Sequence, residues 1–261
     1  MNFCVCVETF FEGESLDSRL EKIAKHGWEW IEFWASGDKD ISELQAALNK
    51  NRLQVSNFSG QRQGTSYLPG DRASYLSEIE ANMKLAQSLG CERLMLLTDP
   101  LDENGHVADS HLEVSAREKI DGTITTLKEL APVAEKNDIS LVLEPLNTRV
   151  DHPGYFLTSS EVGFEIIRNV DHPRIKLLFD AYHLRAMGED VVKSARENLP
   201  WIGHVHVADE PGRHEPGTGS LPFHELLGVL KDGGYSGFVG FELFPKSDDE
   251  SALRAMSKLV D

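Results

Sequence analysis

Eight short apolar runs, each followed by an amphipathic helical pattern, succeed one another along almost the whole chain. Strand and helix signals that alternate in this way are typical of βα units built around a parallel sheet. We predict strands at residues 3–7, 28–33, 53–58, 93–97, 140–143, 175–179, 202–207 and 238–241. Several of them are almost wholly apolar, as expected of strands that are covered on both faces.

The length of the chain decides how these units are arranged. Its 261 residues match the roughly 250 residues of one (β/α)8 barrel. Glycines mark helix ends, as where Leu16, Leu20 and Ile23 share one helix face before Gly27. We see no linker or low-complexity segment between units. The sequence therefore predicts an α/β fold, a single-domain (β/α)8 TIM barrel that spans residues 1–261.

Charge and composition narrow the functional class. The 26 basic and 43 acidic residues leave a formal charge of −17, which repels phosphate backbones, so we expect no nucleic-acid partner. We find no run of roughly 18 apolar residues and no signal peptide, so we expect no membrane association and a cytoplasmic location. Cys4, Cys6 and Cys91 are interpreted as buried free thiols. The sequence leaves open whether the protein forms a homo-oligomer.

Four acidic or imidazole side chains occupy one repeated position, the end of an apolar strand. They belong to the last four predicted strands and are Glu144, Asp180, His206 and Glu242. The carboxyl ends of parallel barrel strands meet at one rim, where the active sites of such barrels lie. We therefore predict that the four groups converge there.

Three carboxylates and one imidazole indicate a divalent metal. Such donors suit an octahedral ion that keeps open positions for substrate, whereas a structural zinc site favours thiolates. We expect Mg2+ or Mn2+, with Co2+ and Zn2+ as alternatives. A cation also relieves the repulsion among converging carboxylates, which otherwise raises their pKa values. Asn57, at the end of the third predicted strand, and Asn147, after Glu144, face the same predicted rim, where they are candidates to orient a substrate.

Five motifs carry a resemblance to a known family. They are EPLN from Glu144, FDAYH around Asp180, HVHVAD around His206, RHEPGTG from Arg213 and GFELFP around Glu242. As a set they resemble the hydroxypyruvate isomerase family. That family belongs to the xylose-isomerase-like barrel superfamily, which also includes tagatose 3-epimerase and the apurinic endonucleases. The resemblance runs over essentially the whole chain.

The resemblance implies a metal-dependent isomerase that acts on a small-molecule 2-oxo acid, interconverting hydroxypyruvate and tartronate semialdehyde through a cis-enediolate. It implies that Glu144 and Glu242 are both metal ligands and proton-transfer groups. Asp180 and His206 complete the metal shell by the same matching. His183 is expected to contact the substrate oxygen, and Arg213 to bind a carboxylate or hydroxyl group.

Two departures from the family pattern bear on the substrate. The epimerases carry a second glutamate six residues after the first ligand, where this chain has Val150, which weakens the prediction of a long polyol substrate. Several hydroxypyruvate isomerase relatives carry glutamine where this chain has His206, which in that respect is closer to the epimerases. An epimerase or isomerase of a larger ketose, 2-oxo-tetronate or inosose is therefore an alternative.

Two further alternatives come from other functional classes. One is a DNA-repair endonuclease, which would need extra histidines at the third and fourth strand ends, where this chain has Asn57, Thr98 and Asp99. The other is a non-catalytic small-molecule binding protein, since a fold by itself does not establish an activity.

Overall fold

In a computed structural model that describes residues 1–260, eight parallel strands close into a barrel. Each strand pairs with the next along the chain, and β8 pairs with β1. The strands are β1 Asn2–Cys6, β2 Trp30–Phe33, β3 Gln54–Ser59, β4 Arg93–Leu96, β5 Ser140–Leu143, β6 Ile175–Asp180, β7 Ile202–Val207 and β8 Phe238–Phe241. The predicted (β/α)8 barrel is confirmed.

Helices separate the strands, and two short ones follow β6. They are α1 Leu16–Lys25, α2 Ile41–Asn51, α3 Arg72–Ser88, α4 Ala116–Asn137, α5 Ser160–Val170, α6 Ala181–Ala186, α7 Val191–Asn198, α8 Phe223–Asp232 and α9 Asp249–Val260. Single 3-10 turns occupy Val7–Thr9 and Leu199–Trp201. None of the helices within residues 1–260 is long and apolar enough to cross a membrane.

The predicted strands differ from the observed ones by at most two residues at either end. The largest difference is in β2, which begins at Trp30 rather than Trp28 because pairing with β3 starts there, opposite Gln54. β1 ends at Cys6 because the chain turns into a 3-10 turn at Val7. Backbone pairing with a neighbour, rather than hydrophobicity, sets these limits.

Alternate residues of each strand face the helices and the barrel interior. Leu141 and Leu143 of β5 belong to the large apolar core between sheet and helices. Between them, Val142 joins Met95 and Leu178 in a small separate apolar cluster, which we place inside the barrel. After Val142 and Leu178, the next inward positions toward the carboxyl ends are Glu144 and Asp180, so the rim site lies on top of this apolar cluster.

Strand register brings the polar positions to one level. In the pairing of β6, β7 and β8, His206 lies opposite both Asp180 and Gly240. Glu242 follows Gly240 by two residues and therefore points to the same side of its strand. The closed barrel thus sets acidic and imidazole groups side by side at its carboxyl rim.

Candidate metal and substrate site

The four side chains predicted as ligands lie together at the carboxyl rim. The Nδ1 atom of His206 is 3.3 Å from Oε1 of Glu144, 3.2 Å from Oε2 of Glu242 and 3.8 Å from Oδ2 of Asp180. All four side chains are buried. Glu144, Asp180 and Glu242 also offer oxygen atoms within 4.8 Å of each other and of a nitrogen of His183.

Burial changes the acidity of two of these carboxyl groups. It raises the pKa of Glu144 to about 7, an effect that His206 opposes and that Glu242 and Asp180 reinforce. Burial likewise raises the pKa of Asp180, to about 6, although His206 and Arg213 oppose the shift. Because desolvated carboxylates that crowd together disfavour their own ionisation, a cation placed between them would stabilise the charged forms.

Glu242 behaves differently because two donors hold it. Burial would raise its pKa, but the guanidinium of Arg213 and the ring of His206 hold the pKa well below its usual range. The NH2 group of Arg213 donates to Oε2 at 2.7 Å, and the indole Nε1 of Trp34 donates to Oε1 at 2.5 Å. Both oxygens of Glu242 are therefore oriented before any ligand binds.

His183 is placed by the helix that follows β6. Asp180 is the N-cap of α6 and accepts a hydrogen bond from the backbone N–H of His183 at 2.9 Å. The side chain of Asn147 donates to Nδ1 of His183 at 2.7 Å, and the Asn147 backbone N–H approaches the same nitrogen at 3.4 Å. Since Nδ1 accepts, the proton of the ring lies on Nε2.

The free nitrogen of His183 is suited to contact a substrate. Its Nε2 is buried and has no hydrogen-bond partner among the residues that the structure describes, although Oδ2 of Asp180 lies 3.7 Å away. Burial and the charge of Arg213 hold the pKa of His183 well below its ordinary value, so the ring is neutral. A neutral N–H donor at this place can bind a hydroxyl or carbonyl oxygen.

Arg213 is held in place by the loop between β7 and α8. Asp209 accepts hydrogen bonds from the backbone N–H groups of Gly217, Thr218 and Leu221, each at 2.9 Å. The guanidinium lies over the rings of Tyr182 and Phe244, 5.3 and 5.8 Å from their centroids. Its Nε is buried and has no hydrogen-bond partner within residues 1–260, while other atoms of Arg213 line the cavity described next.

A cavity of about 570 Å3 opens above these groups. Its walls include Glu144, His183, Arg213 and Glu242, and the loop 101–106 forms its outer side. Its size lies within the usual range for small-molecule sites. Apolar Val150, 68% exposed, lies at the wall where the epimerases carry glutamate.

The two predicted asparagines lie behind the cavity wall rather than on it. Asn147 binds His183 and also accepts hydrogen bonds from the backbone N–H groups of Val150 and Asp151 at 2.9 and 3.1 Å. It therefore supports the site. Asn57 is buried opposite Glu32 in the pairing of β2 with β3, and within residues 1–260 its side-chain oxygen has no hydrogen-bond partner.

Sequence reasoning missed several contacts of the site. Trp34 and His152 are not among the site residues predicted above. The indole of Trp34 donates to Glu242. The ring of His152 packs 5.1 Å from that of His183, and its Nδ1 lies 2.7 Å from the carbonyl oxygen of Gly105. The position of Trp34, directly after a strand at the same rim, was the available signal.

The chain is similar to known proteins along most of its length. The model of the family described as xylose isomerase-like TIM barrel matches residues 20–260. A putative hydroxypyruvate isomerase of Homo sapiens is 31% identical, over 94% of this chain and 89% of that protein. The hydroxypyruvate isomerase of Escherichia coli (strain K12) is 29% identical, over 92% of each chain. A 2-oxo-tetronate isomerase of Cupriavidus necator is 28% identical, over 96% and 95%.

Solved structures share the fold. An AP endonuclease, family 2, from Brucella melitensis superposes with a TM-score of 0.88 at 23% identity, covering 98% of both chains. The IolI protein, solved with a bound zinc atom, superposes with a TM-score of 0.78 at 20% identity, covering 100% of this chain and 96% of that one. At these identities the likeness shows the barrel fold.

Proposed function

Because this chain belongs to the family of xylose isomerase-like TIM barrels, we propose that it is a metal-dependent isomerase of a small 2-oxo acid, of the type that interconverts hydroxypyruvate and tartronate semialdehyde. The relatives named hydroxypyruvate isomerase and 2-oxo-tetronate isomerase support this reaction class. The observation that carries the proposal is the cluster of Glu144, Asp180, His206 and Glu242 beneath the rim cavity.

The donor set fits a divalent ion. Oxygen atoms of three buried carboxylates lie 3.2 to 3.8 Å from Nδ1 of His206. Oxygen-rich sites of this kind suit Mg2+ or Mn2+. We propose Mg2+ or Mn2+ as the native ion, with Co2+ or Zn2+ as alternatives. Burial, reinforced by neighbouring carboxylates, raises the pKa of Glu144 and of Asp180, and this supports the same assignment, since a bound cation would lower both pKa values.

The side chains present can carry out a proton shift between adjacent carbon atoms. A bound divalent cation would supply Lewis acidity to the substrate carbonyl, which acidifies the neighbouring C–H bond. We propose that Glu144 and Glu242, which both line the cavity, remove and return the proton. Nε2 of His183 would donate to a substrate oxygen, and the guanidinium of Arg213, which lines the cavity, to the carboxylate.

A four-carbon 2-oxo acid is the second candidate substrate. The cavity extends beyond the catalytic groups to Arg62 and the loop 101–106, and its volume of about 570 Å3 leaves space for a longer chain. The apolar Val150 at the wall offers no hydrogen bond to a polyol. We therefore rank 2-oxo-tetronate above a neutral ketose or inosose.

The test is direct conversion of candidate substrates. Purified protein stripped with EDTA and reloaded with Mn2+ or Mg2+ would be incubated with hydroxypyruvate, a 2-oxo-tetronate and a neutral ketose, and the products followed by NMR. We expect turnover of one 2-oxo acid in the metal-loaded protein and none in the stripped protein.

A matched variant separates catalysis from folding. Asp99 is a buried carboxylate beyond β4 whose partners are Tyr67, Thr98 and Phe156 rather than the rim groups. Asp99→Asn should therefore retain turnover, whereas Glu144→Gln should lose it. Equal activity with and without metal, or conversion of the ketose alone, would contradict the proposal.

A further inference from the structure

Glu32 lies inside the barrel, below the rim site. It is 3% exposed, in the otherwise apolar strand β2. Burying a carboxylate costs several kcal/mol unless other groups compensate it. Two histidines of β7 offset the buried charge of Glu32. Its Oε1 is 3.2 Å from Nε2 of His206, and its Oε2 is 2.9 Å from Nε2 of His204.

We propose that Glu32 is a positioning residue for the metal site, which accepts the Nε2 proton of His206 and so presents the unprotonated Nδ1 to the cation. This inference rests on the proposed function, since it requires that His206 bind a metal. Glu32 itself is not one of the residues that line the cavity.

The argument begins with the two nitrogens of His206. An imidazole binds a metal through an unprotonated nitrogen, and its other nitrogen then carries a proton that needs an acceptor. Nδ1 faces the carboxylates of Glu144 and Glu242. Nε2 lies 3.2 Å from Oε1 of Glu32, and within residues 1–260 neither of these two atoms forms a hydrogen bond in the structure. Glu32 is thus the available acceptor on that side of the ring.

The other oxygen of Glu32 is anchored independently. Nε2 of His204 binds Oε2 at 2.9 Å, and the thiol of Cys4 donates to the same oxygen at 3.4 Å. His204 and His206 are alternate residues of β7, so both side chains point into the barrel. Oε1 is left to face His206.

The space for this carboxylate exists because residue 240 has no side chain. A Cβ atom built on Gly240 would lie 2.1 Å from Oε1 and 2.8 Å from Oε2 of Glu32. A glycine inside a strand weakens it and often marks a close approach of another group. Gly240 pairs with His206 in the strand register. No side chain of β8 therefore fills the space at the level where Glu32 approaches the ring of His206.

The experiment compares Mn2+ affinity by calorimetry in intact wild-type protein and variants. Glu32→Gln should weaken Mn2+ binding about 10- to 100-fold, the usual effect of losing the partner of a metal-binding histidine. Gly240→Ala should also weaken it, because the added methyl displaces Glu32 without changing any donor. Asp99→Asn, a buried acid-to-amide change away from His206, should bind Mn2+ within about threefold of wild type.

A spectroscopic measurement on the wild type does not depend on variant folding. In long-range 1H–15N spectra of Zn2+-loaded protein, we expect a protonated, solvent-protected Nε2 on His206 and a metal-shifted Nδ1. Metal bound through Nε2, or a rapidly exchanging Nε2 proton, would overturn the proposal. So would Glu32→Gln affinity within about threefold of wild type, or an equal loss in Asp99→Asn. Failure of wild-type protein to bind any divalent ion would instead refute the proposed function.

Discussion

Metal binding should release protons, and the structure indicates how many. Burial opposes a charge on His206, but Glu32, Glu144 and Glu242 raise its pKa well above the usual value, so the metal-free ring is protonated at neutral pH. The pKa of Glu144 is raised to about 7 by burial. A cation that binds these groups must displace their protons. Raising the pH removes the competing protons and therefore strengthens metal binding.

The size of the effect follows from these pKa shifts. At pH 7 His206 contributes one proton and Glu144 about half of one, while Asp180, with a pKa of about 6, contributes about a tenth. We therefore expect release of about one and a half protons at pH 7 and a gain in affinity of roughly 30-fold per pH unit there. Above the pKa values of Glu144 and Asp180 these two carboxyl groups no longer supply protons, so the gain in affinity per pH unit should decline.

Calorimetric titration with Mn2+ in two buffers of different ionisation enthalpy measures the number directly. The matched variant is His206→Gln, which removes the titrating ring but also removes the charge that lowers the pKa of Glu144 and Asp180. It should therefore release fewer protons than wild type, by at most one. Asp99→Asn should leave the number unchanged. A proton count near zero at pH 7, or the same count in His206→Gln as in wild type, would refute this electrostatic description of the site.

Four other outcomes can be measured. EDTA should lower the melting temperature by about 5 to 10 °C relative to protein in Mn2+ at about 100 times its Kd. An unchanged melting temperature would exclude a bound ion. Glu144→Gln and Glu242→Gln should each reduce turnover at least about 100-fold at measured full metal occupancy. Arg213→Lys should raise KM for a 2-oxo acid far more than for a neutral ketose, because lysine lacks the paired donors; equal losses would exclude a carboxylate contact. Tyr155→Phe removes a hydroxyl that binds Thr98 and the Glu144 carbonyl at 2.9 and 2.8 Å, and should destabilise the fold by about 1 to 3 kcal/mol in urea unfolding.

The barrel was predictable because its signals are local. Strand LVL of β5 and the run before Asp180 are apolar because helices cover them, and Gly27 ends a helix whatever surrounds it. Strand ends were less predictable, since β2 starts where β3 can pair with it. Pairing partners are distant in the sequence, so hydrophobicity alone extended β2 by two residues.

The meeting of the rim side chains was predictable for a similar reason. Parallel strands place their carboxyl ends on one side, so Glu144, Asp180, His206 and Glu242 could be assigned to one rim from their positions alone. Their contacts with other residues were not predictable. Trp34 reaches Glu242 from the position directly after β2, across 208 residues of sequence, and Arg213 reaches it from a loop, across 29 residues.

The sequence by itself determined which residues lie at strand ends and on the inward faces, because strand order and alternation are local properties of a parallel barrel. Only the tertiary structure decided which inward residues touch. Glu32 reaches His206 and His204 because barrel closure brings β2 across from β7 and because Gly240 leaves its carboxylate room. No local pattern encodes such a contact, since it depends on register around the closed sheet and on the volume of a residue on a third strand.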